Sequence, residues 1–165
     1  MSIDETKQFV PLNIAVLTIS DTRSLADDKS GTTLADRLTA AGHKLAAREI
    51  VTDDVEAIRA VVKRWIADEG VDAIITTGGT GLTSRDSTYE AIDALLTKRL
   101  PGFGELFRML SYEDIGSAAM MSRACAGTIG RVVVIALPGS EKAVRLAMTK
   151  LVIPELAHLV QQAGK

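Results

Sequence analysis

Three short, predominantly apolar segments constrain the fold of this chain most strongly, because a polar turn and then a helical pattern follow each of them. They cover residues 13–19 (NIAVLTI), 72–76 (DAIIT) and 131–137 (RVVVIAL). Strands that are apolar along nearly their whole length are typical of a parallel sheet that helices cover on both faces. Residues 44–51 (KLAAREIV) are predicted as one further strand.

The clearest helix lies between the strands at 44–51 and 72–76, where apolar residues recur at helical spacing. They are Ile58, Val61, Val62, Trp65 and Ile66. Because Trp65 lies on this apolar face, we expect it to pack in the core. Asp53, followed three residues later by Glu56, resembles a capping box at the start of the helix.

The remaining helices and turns complete an alternating order of strands and helices. Asp28 or Ser30 is suited to cap the helix after the first strand, and Ser140 the helix after the last. Residues 122–130 predict a short extended excursion that could form a hairpin arm, and Pro154 either separates or kinks the last helices. The order predicts one α/β domain over residues 13–165, a three-layer α/β/α sandwich with a mainly parallel sheet, after a flexible lead-in of residues 1–12.

Charge and composition exclude several classes of function. The formal net charge is −2 without a long basic run, which argues against a nucleic-acid partner. No apolar run approaches the roughly 20 residues of a membrane-spanning helix, and the N-terminus lacks the pattern of a signal peptide. Cys125 is the single cysteine, and His43 and His158 lie too far apart in sequence to indicate a metal site. These features predict a cytoplasmic protein without a membrane partner.

The candidate site is the turn in residues 72–90 (DAIITTGGTGLTSRDSTYE). Gly78, Gly79 and Gly81 carry no Cβ atoms that would keep an anion from the backbone, and they allow several N–H groups to point at one position. Arg85 and Asp86 add a positive charge and a carboxylate beside these glycines. The pattern therefore favours a phosphate site, although glycine can also solve a purely steric problem in a strand-to-helix turn.

Four turns are predicted to meet at the carboxyl edge of the sheet, where ligands bind in open α/β folds. They contain Ser20 with Asp28 and Ser30, then Asp53, then residues 78–86, and finally residues 138–140. Capping explains Asp53 fully, yet Asp53 and Asp86 at one edge could also share a metal ion.

Three longer motifs carry a resemblance to a known family. Residues 76–92 (TTGGTGLTSRDSTYEAI), 101–127 (PGFGELFRMLSYEDIGSAAMMSRACAG) and 136–140 (ALPGS) resemble the molybdenum cofactor biosynthesis proteins of the MoaB/MogA family. The match extends over nearly the whole chain from Ile14. It implies a Rossmann-like fold and assembly into trimers, or into hexamers made of two trimers.

The resemblance also implies a substrate and a reaction. The substrate is molybdopterin, a pterin that bears a dithiolene and a terminal phosphate. In active members MgATP adenylylates that phosphate and pyrophosphate is released, which prepares the pterin for molybdate insertion. Other proteins of the molybdenum cofactor pathway are then possible partners.

Carried over residue by residue, the resemblance makes Asp53 and Asp86 catalytic residues that handle Mg²⁺ and ATP. The substrate-binding set comprises Ser20, Gly78, Gly79, Thr80, Gly81, Arg85, Ser122, Arg123, Pro138, Gly139 and Ser140. Within this set Arg85 or Arg123 offers positive charge to the leaving pyrophosphate or to the pterin phosphate. Ser87 and Tyr89 stand where MogA-like sequences have valine and proline, a departure that can change the loop shape and the nucleotide affinity.

Two functions from different classes follow from the sequence. The first is a molybdopterin adenylyltransferase, and the alternative is a catalytically silent molybdopterin-binding or scaffold paralogue of the same pathway. A third interpretation is a trimer whose glycine turn is only structural. The sequence leaves open whether Phe103 and Phe107 face the core or a neighbouring subunit.

Overall fold

The computed structural model describes residues 8–165 and contains one six-stranded sheet. In chain order its strands are β1 Asn13–Ile19, β2 Lys44–Val51, β3 Ala73–Thr77, β4 Lys98–Arg99, β5 Cys125–Ile129 and β6 Val132–Leu137. The helices are α1 Lys29–Ala40, α2 Val55–Ala67, α3 Thr88–Asp93, α4 Pro101–Ile115, α5 Glu141–Ala147 and α6 Ile153–Ala163. A 3₁₀ turn covers Gly116–Met121, and a π-helical turn covers Met148–Val152.

The sheet is mainly parallel, as predicted, and has one antiparallel edge. Its order is β2-β1-β3-β6-β5-β4, and β1, β2, β3 and β6 run in the same direction. The excursion predicted at residues 122–130 supplies β5, which pairs antiparallel with β6 and with the short edge strand β4. Gly130 has a φ of +58° in the tight turn between β5 and β6.

Apolar side chains cover both faces of the sheet, which confirms the three-layer α/β/α architecture. Ile14 and Val16 of β1 belong to one core, which also takes in apolar residues of α1, α4, α5 and α6. Leu17, from the opposite face of β1, belongs to the other core, which α2 and α3 cover. Trp65 lies in this second core with 5% of its surface exposed, as predicted.

The two phenylalanines of α4 face the core and not the surface. Phe107 is 1% exposed and Phe103 is 7% exposed, and both belong to the same core as Ile14. Their ring centroids lie 6.3 Å apart in a stacked arrangement. The alternative that the sequence left open is therefore resolved in favour of core packing.

Two predicted helix starts are settled by hydrogen bonds. Asp28, and not Ser30, caps α1, since its carboxylate accepts from the N–H of Gly31 at 3.0 Å. The capping box predicted at Asp53 is wrong, because Asp54 caps α2 by accepting from Ala57 N at 2.9 Å. The carboxylate of Asp53 is engaged elsewhere, at the candidate site.

The last helices form one continuous segment. Ser140 caps α5 as predicted, since its Oγ accepts from Ala143 N at 3.1 Å. The chain then passes through the π-helical turn into α6, where Pro154 occupies the first turn. Proline is tolerated in the first turn of a helix, and a π-helical turn directly before it changes the local hydrogen-bond pattern. Pro154 therefore does not separate two helices.

The N-terminal lead-in is described only from Gln8, and residues 1–7 lie outside the described residues. Leu12 is buried, and its N–H donates to His43 Nδ1 at 3.2 Å. The ring of Phe9 lies 5.2 Å from the His43 ring, between centroids. The flexibility expected for residues 1–12 stays a prediction.

The strand order determines where a ligand is best accommodated. β2, the next strand in the chain, pairs with one side of β1, and β3 pairs with the other side of β1. This reversal makes the carboxyl ends of β1 and β3 the preferred crevice for a ligand. Within residues 8–165, no helix has the length and apolar character needed to cross a membrane.

Candidate functional site

The glycine turn, residues 78–81, lies directly against the ends of the neighbouring strands. Gly78 has a φ of +101°, a conformation that residues with side chains rarely adopt. A Cβ on Gly78 would lie 2.3 Å from the carbonyl oxygen of Ile19 at the end of β1. The Gly78 N–H donates to Leu137 O, at the end of β6, at 3.0 Å. Glycine therefore allows the turn to enter the crevice at the switch point of the sheet.

Two carboxylates flank this turn. A Cβ on Gly79, whose φ is +67°, would lie 2.7 Å from Asp53 Oδ2. A Cβ on Gly81 would lie 2.8 Å from Asp86 Oδ2. The two predicted catalytic residues are therefore both brought to the glycine turn, although they come from different loops.

Asp53 follows β2 and is held through one oxygen only. Its Oδ1 accepts from the N–H of Ser87 at 2.9 Å and from Ser87 Oγ at 2.6 Å. Among the described residues, no group donates to its Oδ2. This second oxygen, which faces Gly79, is free to bind a cation or a proton donor of a ligand.

Asp86 is held in a similar way by its own loop. Its Oδ2 accepts from Thr83 N at 2.8 Å and from Thr83 Oγ1 at 2.7 Å. The Thr83 hydroxyl bond contributes most to lowering the pKa of Asp86, and the Gly81 N–H and the charge of Arg123 lower it further. Asp86 is therefore ionised at neutral pH.

Arg85 is paired across the crevice with Asp21, which is not among the site residues predicted from the sequence. The Nε and Nη2 atoms of Arg85 donate to Asp21 Oδ2 at 3.1 and 2.8 Å. Asp21 Oδ1 accepts from Asp53 N at 3.0 Å, and these contacts, above all that with Arg85, hold the pKa of Asp21 below its ordinary value. The position of Asp21 near the carboxyl end of β1, directly after Ser20, was the feature of the sequence that could have identified it as a site residue.

Arg123 contacts the glycine turn itself. Its Nε and Nη2 atoms donate to the carbonyl oxygen of Gly81 at 3.0 and 2.6 Å. The guanidinium also pairs with Glu90 and lies 5.2 Å from the centroid of the Tyr89 ring. Arg123 therefore joins the start of β5 to the turn and to α3.

The remaining predicted residues differ in how closely they approach the turn. Gly139 does approach it, because a Cβ there would lie 3.3 Å from Gly78 Cα. The carbonyl of Pro138 accepts from Thr77 Oγ1 at 2.9 Å, which fixes the end of β6 beside β3. Ser140 uses its hydroxyl to cap α5.

Ser20 and Ser122 have local roles in the described structure. Ser20 Oγ accepts from Thr22 N and Arg23 N, which shapes the loop after β1. The carbonyl of Ser122 accepts from Arg108 at 3.3 Å. None of the hydrogen bonds that Ser122 makes within residues 8–165 reaches the glycine turn, so its predicted role in substrate binding stays a prediction.

The carboxylates suit a magnesium ion that arrives with a nucleotide better than a resident metal. Within the described part of the chain, no three His, Cys, Asp or Glu side chains come together as a metal site. Magnesium is commonly held by one or two carboxylates together with substrate phosphates and water. Asp53 and Asp86, beside the glycine turn, provide such a donor set.

Cys125 does not add a nucleophile. Its side chain is mostly buried, and this burial raises the pKa of the thiol to about 11. A protonated thiol is neither a nucleophile nor a good metal ligand at neutral pH. The inert role predicted for Cys125 is consistent with this environment.

Comparisons with known proteins agree on one family. The family model described as "probable molybdopterin binding domain" matches residues 15–158. A Bacillus cereus protein named molybdenum cofactor biosynthesis protein B is 55% identical over 162 residues, which cover 96% of each chain. A crystal structure of a molybdenum cofactor biosynthesis protein B has a TM-score of 0.92 at 53% identity, covering 95% of this chain and 98% of that one. The tungsten cofactor synthesizing protein MoaB from Pyrococcus furiosus has a TM-score of 0.84 at 37% identity, with coverage of 94% and 98%.

Proposed function

This chain belongs to the family of molybdenum cofactor biosynthesis proteins that share the probable molybdopterin binding domain, and from this premise we propose that it is a molybdopterin adenylyltransferase. Membership of this family supports a role in molybdenum cofactor biosynthesis. The adenylyl transfer is our inference from the chemistry of the site.

The observation that carries the proposal is that two carboxylates from different loops lie against the glycine turn. Asp53 and Asp86 come from separate loops and are each held through one oxygen by a Ser or Thr. A nucleotide phosphate requires N–H donors, and its magnesium ion requires carboxylates, at the same position. A turn with only a structural role would not require two carboxylates beside it.

In the proposed reaction the terminal phosphate of molybdopterin is the nucleophile. One of its oxygens bonds to the α-phosphorus of ATP, and the bond from that phosphorus to the oxygen that bridges to the β-phosphorus breaks. Pyrophosphate leaves with the electron pair, and molybdopterin carries the AMP group. A magnesium ion bound by Asp53 and Asp86 would supply neutralisation of the negative charge on the phosphates.

The residues of this chain have little covalent work to do in such a transfer. Their contribution is to align two anionic groups and to hold charge where it develops. The glycine turn holds a phosphate, Asp53 and Asp86 hold the cation, and Arg85 lies at the rim of the crevice, paired with Asp21. Arg85 is 66% exposed in its side chain, so a phosphate of ATP can compete with Asp21 for it.

We also propose that the chain forms a homo-oligomer, a trimer or a hexamer, through an apolar surface on α4 and the following 3₁₀ turn. The exposed apolar side chains of this surface are Leu106, Met109, Tyr112, Ile115, Met120 and Met121. The first four lie three residues apart and spread over the exposed half of α4, away from the buried Phe103 and Phe107. Several large apolar side chains exposed close together mark an interface more often than a solvated face.

Adenylyl transfer by the purified protein, measured with molybdopterin and MgATP, tests the proposal. Asp86→Asn is expected to lower kcat/KM at least tenfold, about 1.4 kcal/mol of transition-state stabilisation, because the amide neither carries the charge nor binds Mg²⁺ well. Asp68→Asn is the matched control, since Asp68 is exposed at the opposite edge of the sheet and, within residues 8–165, its carboxylate accepts only from Gly70 N. Wild-type protein that binds molybdopterin but transfers no adenylyl group would instead be a carrier or scaffold.

A further inference from the structure

Two carbonyl groups of the glycine turn face the same neighbour, the first turn of α3. The carbonyl of Gly79 accepts from the N–H of Thr88 at 3.0 Å. The carbonyl of Gly81 accepts from Nε and Nη2 of Arg123, at 3.0 and 2.6 Å. Arg123 is itself fixed beside α3 by its ion pair with Glu90 and by the ring of Tyr89.

The orientation of these carbonyls determines where the following N–H groups point. In a trans peptide the C=O and the next N–H point in opposite directions, and the described residues contain no cis peptide. The N–H groups of Thr80 and Leu82 therefore point away from α3. Neither donates to any group among residues 8–165. Thr80 is only 4% exposed, and because backbone N–H groups in buried segments are nearly always paired, its N–H is suited to a bound acceptor. Leu82 is 66% exposed, so its N–H is open to solvent and to a ligand.

We propose that Arg123 is a positioning residue, which holds the Gly81 carbonyl so that the Leu82 N–H, together with that of Thr80, donates to a bound phosphate group. This inference rests on the proposed function, because it concerns the phosphate of molybdopterin or ATP at the glycine turn. It differs from the expectation that Arg123 offers its charge directly to a phosphate.

The contacts of Arg123 favour the indirect role. Its guanidinium makes four hydrogen bonds, two to Gly81 O and two to Glu90, and only 24% of its side chain is exposed. Its charge is already balanced by Glu90, so little of it is available to an incoming anion. The planar fork of arginine suits this role, because two donors from one rigid group fix the direction of a single carbonyl.

The test is a titration of the ¹⁵N-labelled full chain with inorganic pyrophosphate, followed in ¹H–¹⁵N spectra. In the wild type, the amide protons of Thr80 and Leu82 are expected to move downfield as they donate to the anion. In Arg123→Met at saturating pyrophosphate, the Leu82 shift is expected to be lost while the Thr80 shift remains. The difference arises because Thr80 is oriented by the bond between Gly79 and Thr88, which does not involve Arg123.

Two further variants keep the test decisive. Glu90→Gln removes the ion pair but leaves both bonds from Arg123 to Gly81, so it is expected to keep both shifts. Arg123→Lys offers one donor group in place of two, and it is expected to reduce the Leu82 shift alone. If the spectrum of Arg123→Met shows that this variant is unfolded, the Leu82 shift in Arg123→Lys tests the inference in its place.

Three results would overturn the inference. They are no Leu82 shift in the wild type, an unchanged Leu82 shift in Arg123→Met, and an equal loss of the Thr80 and Leu82 shifts at saturation. The last result would mean that Arg123 binds the anion directly. None of these readouts requires adenylyl transfer, so an inactive protein would contradict the proposed function and leave the inference on Arg123 intact.

Discussion

At the scale of single residues, the site depends on which oxygen of each carboxylate is already used. Ser87 donates twice to Asp53 Oδ1, and this leaves Oδ2 directed at Gly79. Since no other described side chain donates to this carboxylate, its orientation depends on the Ser87 hydroxyl. Free rotation of Asp53 would remove the alignment that a phosphoryl-type transfer requires.

Replacement of Ser87 by alanine is expected to lower kcat/KM for adenylyl transfer roughly tenfold. A hydrogen bond to a charged group contributes about 1.5–3 kcal/mol, and the lower end applies because the Ser87 N–H remains. Ser87→Thr keeps the hydroxyl and is expected to retain most of the activity. Ser24→Ala is the control, because it removes a similar hydroxyl bond to Asp27 in an exposed loop. Equal activity of Ser87→Ala and the wild type would contradict the role of Ser87.

Gly79→Ala is expected to abolish transfer and to destabilise the fold by about 1–3 kcal/mol, the cost of a strained backbone position. The added methyl group would lie 2.2 Å from Thr88 Oγ1, at a residue whose φ is +67°. Gly102→Ala is the matched control, since a Cβ there meets nothing within 4 Å. Thermal unfolding of both variants distinguishes the two positions, and similar melting temperatures would show that the glycine turn tolerates a side chain.

At the scale of secondary-structure elements, one buried carboxylate joins three of them. Asp28 caps α1, accepts from Thr18 Oγ1 of β1 at 2.7 Å, and pairs with Arg48 of β2 at 3.1 Å. Burial alone would raise the pKa of Asp28, but the bonds from Thr18, Gly31 and Arg48 outweigh it and lower the pKa below its ordinary value. The loop before α1 is thereby fixed to the sheet.

Asp28→Asn is expected to lower the free energy of unfolding at pH 7 by about 2 kcal/mol, the value of a hydrogen bond between charged groups. Because the folded pKa is lowered, the contribution of Asp28 is complete above its unfolded pKa of about 4 and is lost as the pH falls through the folded pKa. Urea unfolding of the wild type and the variant should therefore differ at pH 7 and converge at acidic pH. Asp36→Asn, on the exposed side of α1, is the control, and a pH-independent difference would contradict the account.

Most of the elements could be predicted from the sequence, whereas the two-residue edge strand β4 and the partners of the site residues could not. The apolar segments fixed β1, β3 and β6 because burial on both faces leaves a local pattern. Asp53 was assigned to a helix cap because that pattern is also local, but its partner Ser87 lies 34 positions away. The pair of Asp21 and Arg85 is separated by 64 positions. Such contacts depend on the strand order, which no single segment encodes.

At the scale of the whole molecule, the strand order brings the loops after β1, β2, β3 and β6 to the carboxyl edge of the sheet. Helix α4 packs against one face of the sheet and exposes apolar side chains on its outer side. The chain itself connects α4 to the site. After α4 it passes through the 3₁₀ turn to Arg123, which donates to the carbonyl of Gly81 in the glycine turn. We expect the site to be built within each subunit and the apolar surface to join subunits.

Met109→Glu is expected to dissociate the homo-oligomer, because it places a charge in the middle of the apolar surface on α4. Light scattering of the wild type should give three or six times the chain mass of 17.6 kDa, and the variant should give a smaller mass. Lys63→Glu changes an exposed charge on α2, in the opposite layer, and should leave the mass unchanged. A monomeric wild type would contradict this part of the account.

The measurement that tests the central claim most directly follows the fate of each phosphate of ATP. Wild-type protein is incubated with molybdopterin, Mg²⁺ and ATP labelled at either the α- or the γ-phosphate. Adenylyl transfer predicts that the α-label appears on the pterin, in equal amount to the γ-label released as pyrophosphate, and only when molybdopterin is present. Release of the γ-label as inorganic phosphate, or no label on the pterin while molybdopterin remains bound, would contradict adenylyl transfer.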